Sequence, residues 1–122
     1  MKACSRFLPG VVMLLAVTSA EAGSLQVPQV QTGTPITRTY QCEGGKSLQV
    51  TYWNSNNGQS FALVPVEGKP LLFVDTLAAS GVKYDAGHYT WWTKGNHGDL
   101  YDMTAGPNAP PIIAGCASDA SK

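Results

Sequence analysis

Several common features are missing or scarce in this sequence of 122 residues. It has three cysteines, and their spacing excludes the close pairs that build zinc clusters or dithiol redox sites. Eight basic residues balance eight acidic ones without a long basic run, so nucleic acid is not an expected partner. The Gly-x-Ser-x-Gly elbow of many hydrolases does not occur. The absence of these features argues against the commonest classes of small enzyme and nucleic-acid-binding domain.

The first 22 residues have the pattern of a cleavable export signal. Lys2 and Arg6 are basic, and residues 11–17 form an apolar stretch too short to span a bilayer. Small residues at positions 20 and 22 predict cleavage between Ala22 and Gly23. A lipoprotein needs a cysteine immediately after the cleavage site, where this chain has Gly23. We therefore expect an exported protein without a membrane anchor.

Removal of the leader would take Cys4 with it and leave Cys42 and Cys116. Two cysteines in an exported domain most simply form one disulfide bond. Closing so long a loop stabilises the fold by roughly 4–5 kcal/mol in chain-entropy estimates. A domain of about 100 residues is only marginally stable on core burial alone, so this contribution matters.

The rest of the chain alternates with a period of two, which is typical of β-strands. Leu48, Val50 and Tyr52 alternate with polar or outward positions, and residues 61–66 and 71–74 are short apolar runs. Glycine- and asparagine-rich turns separate these runs, and no segment has a sustained helical period. Pro65 lacks a backbone donor, so we expect it at the edge, the end or a bulge of its strand.

Short turns between consecutive strands predict an antiparallel meander. With roughly eight strands, closing the sheet into a barrel removes its exposed edges. The predicted fold class is therefore all-β, an antiparallel eight-stranded β-barrel with one disulfide. We divide the chain into a leader (residues 1–22), a flexible lead-in (residues 23–37) and the barrel domain (residues 38–122).

Catalytic and metal sites are weakly supported. Ser80, Asp85 and His88 are the residue types of a hydrolase triad, but their spacing does not favour one. His88 and His97 with Asp85 or Asp99 lack a regular metal-ligand spacing, and two solvated histidines are the simpler interpretation. We expect no enzyme activity, no metal and no cofactor.

Three tryptophans offer a second hypothesis. Trp91 and Trp92 are adjacent on a predicted strand, so one should enter the core while the other points outward. An outward Trp92 or Trp53 could anchor a protein interface or stack on a sugar. A small carbohydrate-binding module of the cell envelope is therefore the alternative function.

Lys94 is the most distinctive candidate binding residue in the sequence. Gly95 and Asn96 follow it and predict a tight turn that would project its ammonium group. Ser80 and Gly81 form a second small loop before a predicted strand. A compact cation and a hydroxyl on neighbouring rigid loops would suit a cleft lined with carboxylates. From the residues alone, a solvated surface lysine is the default interpretation.

Four segments together resemble a known family. They are Tyr40-Gln41-Cys42, Leu48-Gln49-Val50-Thr51-Tyr52, Ser80-Gly81-Val82-Lys83-Tyr84 and Trp91-Trp92-Thr93-Lys94-Gly95, closing on Cys116. In this order and spacing, the chain resembles the periplasmic and membrane-bound inhibitors of c-type lysozyme. The resemblance implies an eight-stranded barrel whose partner is a c-type lysozyme. Gly23 in place of a lipid-carrying cysteine places the chain with the periplasmic branch.

The resemblance also implies the binding residues. Ser80 and Lys94 would enter the active-site cleft of lysozyme and engage its catalytic carboxylates, with Gly81 and Gly95 shaping the two loops. Tyr84 and Trp92 would either support these loops from behind or touch the enzyme. The sequence leaves open which lysozymes are bound and whether the protein forms a homodimer.

Overall fold

The structure is a computed structural model that describes residues 9–16 and 23–119. Most of the predicted leader, and the Ala22 side of its cleavage site, lie outside the described residues. Among the residues described, no helix is long and apolar enough to cross a membrane. The first strand of the described residues begins at Ile36, two residues before the predicted start of the barrel domain.

Eight strands account for the regular structure of the described residues, and together they form a closed antiparallel barrel. Each strand pairs with the next in sequence, and the last strand pairs with the first. The prediction of an all-β, eight-stranded barrel is confirmed. The strands are β1 (Ile36–Gln41), β2 (Ser47–Asn54), β3 (Ser60–Val66), β4 (Lys69–Thr76), β5 (Val82–Ala86), β6 (Tyr89–Lys94), β7 (His97–Asp102) and β8 (Ile113–Ser118).

Short 3-10 helices cover Glu43–Gly45 and Met103–Ala105. The first strand begins at Ile36, and the lead-in before it touches the barrel through a bridge between Thr32 and Ser55. Pro65 is the second-last residue of β3, opposite Pro70 and beside the turn into β4. The prediction that this proline stands near a strand end is confirmed, because there its missing donor costs least.

The barrel core is organised around Trp91, whose side chain is fully buried. Its indole N–H donates to the Tyr52 hydroxyl at 2.9 Å, and that hydroxyl lies 2.7 Å from the hydroxyl of Tyr40. Tyr40 and Trp91 also meet edge to face, with ring centroids 5.2 Å apart. Gly98 of β7 makes room for the indole, because a Cβ there would lie 2.5 Å from the Trp91 ring.

A disulfide joins Cys42 to Cys116 across 74 residues, as predicted. It lies at the seam where the barrel closes. There β1 and β8 pair Tyr40 with Ser118 and Gln41 with Ala117, whereas β1 pairs with β2 along its whole length. The covalent link therefore reinforces the closure that has the shortest strand pairing.

Candidate functional site

Two segments at one mouth of the barrel carry the residues singled out from the sequence. The Ser80 loop (residues 77–81) connects β4 to β5, and the Lys94 turn (residues 94–96) connects β6 to β7. Because β5 and β6 are antiparallel neighbours, with Val82 opposite Thr93, the end of the loop lies beside the start of the turn. Strand register thus brings together Ser80 and Lys94, which are 14 residues apart in sequence.

The Ser80 loop is tied to β6 by Trp92. The indole N–H of Trp92 donates to the backbone carbonyl of Ser80 at 2.9 Å. Gly81 has φ +66°, and a Cβ there would overlap the carbonyl oxygen of Thr93 and approach the Trp92 ring to 3.1 Å. Only glycine fits this backbone conformation and this space. Ser80 itself is exposed at the surface of the loop.

The Lys94 turn is anchored on its other side by β8. The Asn96 side-chain amide donates to the Ser118 carbonyl at 3.1 Å, and the Ser118 amide donates to the Asn96 carbonyl at 2.8 Å. Gly95 has φ +60°, which lets the chain reverse tightly. Lys94 is exposed, and the ion pairs found among the described residues do not include it. The sequence identifies Asn96 only as a turn residue, because its anchoring role depends on the pairing of distant strands.

Tyr84 lies behind these segments, inside the barrel, with only 7% of its surface exposed. Its ring is 5.7 Å from that of Tyr52. Burial raises the pKa of the Tyr84 hydroxyl, and the negative charge of Asp75 raises it further. Tyr84 therefore stays neutral on the inner side of this mouth.

A small cavity of about 190 Å³ opens at the same mouth, next to Gly95. Burial raises the pKa of Tyr52 on its wall, as does the hydrogen bond with Tyr40. The cavity walls are mainly polar or aromatic and comprise Ile36, Arg38, Tyr40, Tyr52, Asn54, Tyr84, Thr93 and Gly95. The space behind the Lys94 turn is thus lined by tyrosine and threonine hydroxyl groups together with the charged side chain of Arg38.

The two adjacent tryptophans separate as predicted, with Trp91 in the core and Trp92 on the outer surface. Trp92 also lines an outer cavity of about 270 Å³ that Tyr101 and Met103 share. Trp53 lies elsewhere, in a more apolar cavity of about 350 Å³ formed with Leu25 and other residues of the lead-in.

The other sequence candidates are dispersed. His88 precedes β6 and Ser80 precedes β5, so the two lie at opposite ends of β5 and do not form a triad with Asp85. Asp85 accepts a hydrogen bond from Thr90 at 2.6 Å. No group of metal-ligating side chains occurs among residues 9–16 and 23–119. His88 instead lies 2.9 Å from a carboxylate oxygen of Asp102.

The lowered pKa of the Asp102 carboxyl group predicts that the stability of the protein depends on pH. Hydrogen bonds from the Thr104 side chain, then from His88, lower the pKa of Asp102 to about 2. Because the pKa is lower in the folded state, the stabilisation is complete above the unfolded value near 4 and disappears as the pH falls towards 2. Denaturant unfolding between pH 5 and pH 2 should show a steeper loss of stability for the wild type than for Asp102→Asn. Parallel pH profiles would contradict this assignment.

Besides Arg38 on the cavity wall, the mouth presents the ammonium group of Lys94 and the hydroxyl group of Ser80, on two segments that are each tied to a neighbouring strand. An ammonium group pairs with carboxylates as a compact point charge, and a hydroxyl can donate to them. The arrangement is suited to binding a carboxylate-rich surface.

Comparisons with a family model and with known proteins point to the same family. The family model described as membrane-bound lysozyme-inhibitor of c-type lysozyme matches residues 40–109. A Cupriavidus necator protein named membrane-bound lysozyme inhibitor of C-type lysozyme is 49% identical over 77 residues, which are 63% of this chain and 61% of that protein. A Pseudomonas aeruginosa protein of the same name is 46% identical over 63 residues, 51% of this chain and 49% of that protein. The matched region thus spans about half to six-tenths of these relatives.

Solved structures show the same barrel. The crystal structure of Pseudomonas aeruginosa MliC in complex with hen egg white lysozyme has 32% sequence identity and a TM-score of 0.63, covering 83% of this chain and 99% of that one. The periplasmic lysozyme inhibitor PliC from Salmonella typhimurium has 21% identity and a TM-score of 0.61, covering 70% and 99% of the two chains. The second likeness supports the fold alone.

Proposed function

The chain belongs to the family of membrane-bound lysozyme inhibitors of c-type lysozyme, and from this membership we propose that it inhibits a c-type lysozyme by inserting Ser80 and Lys94 into the active-site cleft. Both residues lie within the matched region. The observation that carries the proposal is their juxtaposition at one mouth of the barrel, on two segments joined by the β5–β6 pairing and the Trp92–Ser80 hydrogen bond.

The chemistry of the target explains why a lysine is effective. Lysozyme is a retaining glycosidase with two catalytic carboxyl groups about 5–5.5 Å apart, one of which donates a proton because its pKa is raised. An ammonium group placed between them stabilises the ionised forms and lowers that pKa. The general acid would then lack the proton it must donate, while the loops exclude the substrate.

The rigidity of the mouth supports this mechanism. Binding is weakened by the entropy of ordering loops, so segments that are already held in place lose less on association. Here Trp92 ties the Ser80 loop to β6, and Asn96 ties the Lys94 turn to Ser118 of β8. The backbone at both residues is therefore held before binding, and the ordering cost falls mainly on the exposed side chains of Ser80 and Lys94.

The proposal is tested by adding the purified protein to hen egg white lysozyme and following lysis of bacterial cell walls. We expect a stoichiometric loss of activity and a complex that survives gel filtration. Full lysozyme activity at a micromolar excess of the protein would refute the proposed function.

The alternative, a carbohydrate-binding module, is addressed by calorimetry with chitooligosaccharides. The half-buried rings of Trp92 and Trp53 would be the stacking surfaces. Sugar binding without lysozyme binding would favour that alternative over the inhibitor.

Gly81→Ala is expected to weaken inhibition at least tenfold. The added Cβ is strained at φ +66° and overlaps the Thr93 carbonyl, so the Ser80 loop must move. The inhibition constant measured with hen egg white lysozyme checks this.

Gly68→Ala is the matched control, because Gly68 also has a positive φ of +78° but no atom lies within 4 Å of its Cβ position. It lies in the turn between β3 and β4, at the far end of β4 from the Ser80 loop. Gly68→Ala should cost about 1 kcal/mol of stability and leave inhibition unchanged. Equal inhibition by both variants would argue against a role for the loop.

We further propose that the protein acts in the periplasm after removal of residues 1–22. The basic and apolar composition of the leader and the Gly23 position support this proposal. Mass spectrometry of the protein purified from a periplasmic extract would identify its N-terminus.

A further inference from the structure

We infer that Trp92 is a positioning residue, which holds the Ser80 loop in its binding conformation and does not itself contact the enzyme. This inference rests on the proposed function for its inhibition readout, while the order of the loop can be measured without lysozyme. It separates the two roles that the sequence left open for Trp92.

Apart from its contacts with Trp92, the Ser80 loop has few contacts that would hold its conformation. Residues 77–81 form no regular secondary structure, and Leu77 is 96% exposed, so its side chain adds almost nothing to the core. The loop is long enough to adopt many conformations, and each ordered residue costs roughly 1–2 kcal/mol of backbone entropy. Specific contacts are therefore needed to keep Ser80 beside Lys94.

Trp92 supplies such contacts from the neighbouring strand β6. Its N–H donates to the Ser80 carbonyl at 2.9 Å, and its ring lies against Gly81. A weaker contact, from the Thr93 hydroxyl to the Val82 carbonyl at 3.4 Å, follows at the base of the loop. The hydrogen bond fixes the backbone at the residue whose side chain is proposed to reach the enzyme.

Trp92 retains few groups that could bind a partner protein. Indole has a single donor and no acceptor, and here that donor is already used within the chain. One side of the ring packs on the loop, and the side chain also borders the outer cavity shared with Tyr101 and Met103. Trp92 therefore acts through Ser80 and Gly81.

The main test compares Trp92→Phe with Trp53→Phe. Phenylalanine keeps an aromatic ring but loses the donor, and Trp53 is a second outer-surface tryptophan that lines a different cavity. In the free protein, hydrogen exchange at the Val82 amide, where the loop joins β5, should become about tenfold faster in Trp92→Phe and remain unchanged in Trp53→Phe. Unchanged exchange in Trp92→Phe would overturn the inference, whatever the protein does to lysozyme.

The second arm is a double-mutant cycle with Ser80→Ala. Loss of one hydrogen bond predicts that Trp92→Phe weakens inhibition by roughly three- to tenfold in the wild-type background. In the Ser80→Ala background the further loss should be twofold or less, because the group being positioned is already gone. Equal losses in both backgrounds would mean that Trp92 contacts the enzyme itself, which also overturns the inference.

If Trp92→Phe does not fold, benzothienylalanine at position 92 replaces it in both arms, because this analogue keeps the two fused rings and exchanges only the N–H for sulfur. It should show the same faster exchange and the same coupling to Ser80→Ala. If the wild type fails to inhibit lysozyme, the proposed function is refuted, and the exchange measurement still decides whether Trp92 orders the loop.

Discussion

Replacing Lys94 by alanine is expected to weaken lysozyme inhibition by tens- to thousands-fold without destabilising the barrel. Removing one partner of a desolvated charge pair costs on the order of 2–5 kcal/mol, because the carboxylates of the enzyme are then left buried and unpaired. Lys94 is exposed in the free protein, so its truncation should change the free energy of unfolding by less than about 0.5 kcal/mol. Inhibition constants and urea unfolding curves measure the two effects separately.

Lys69→Ala is the control for a general loss of positive charge. Lys69 is also exposed, and it begins β4 at the end opposite the Ser80 loop. This variant should inhibit like the wild type. If Lys94→Ala also inhibits normally, the protein would still be an inhibitor, but the Lys94 turn would not be its binding site.

Replacing Cys42 and Cys116 together by alanine is expected to lower the free energy of unfolding by about 4 kcal/mol. The bond closes a loop of 74 residues, and its removal restores the conformational freedom of the unfolded chain. Domains of this size have total stabilities of roughly 5–15 kcal/mol, so the variant would be close to unfolding. Guanidinium unfolding at 25 °C provides the measurement.

Reduced wild-type protein is the control for the packing of Cys116, which is fully buried. Reduction breaks the cross-link but retains both sulfur atoms, so a similar loss of stability would assign the effect to the cross-link. Unfolding midpoints that are identical with and without reductant would show that the strand pairing of β1 and β8 holds the seam by itself.

The sequence predicts the barrel because its information is local. Alternation in segments such as residues 48–52 depends only on the period of two, and each short turn makes neighbouring strands antiparallel. The separation of Trp91 and Trp92 follows from the same geometry, since adjacent strand residues face opposite sides. The disulfide follows from the count of cysteines.

The contacts that hold the mouth could not be predicted in this way. The Trp92–Ser80 hydrogen bond depends on the register of β5 against β6, and the Asn96–Ser118 pair depends on where β8 ends beside the Lys94 turn. Both are long-range consequences of closure. Similarly, Gly98 has no special sequence context, and only its position against Trp91 explains why it is glycine.

Competition with a sugar tests the central claim most directly, because it asks whether the Ser80 loop and the Lys94 turn occupy the lysozyme cleft. Binding of the protein to hen egg white lysozyme would be measured by calorimetry with and without a saturating, non-hydrolysable chitooligosaccharide long enough to span the two catalytic carboxyl groups. We predict that the apparent affinity falls in proportion to sugar occupancy. The same affinity for free and sugar-filled lysozyme would contradict the account.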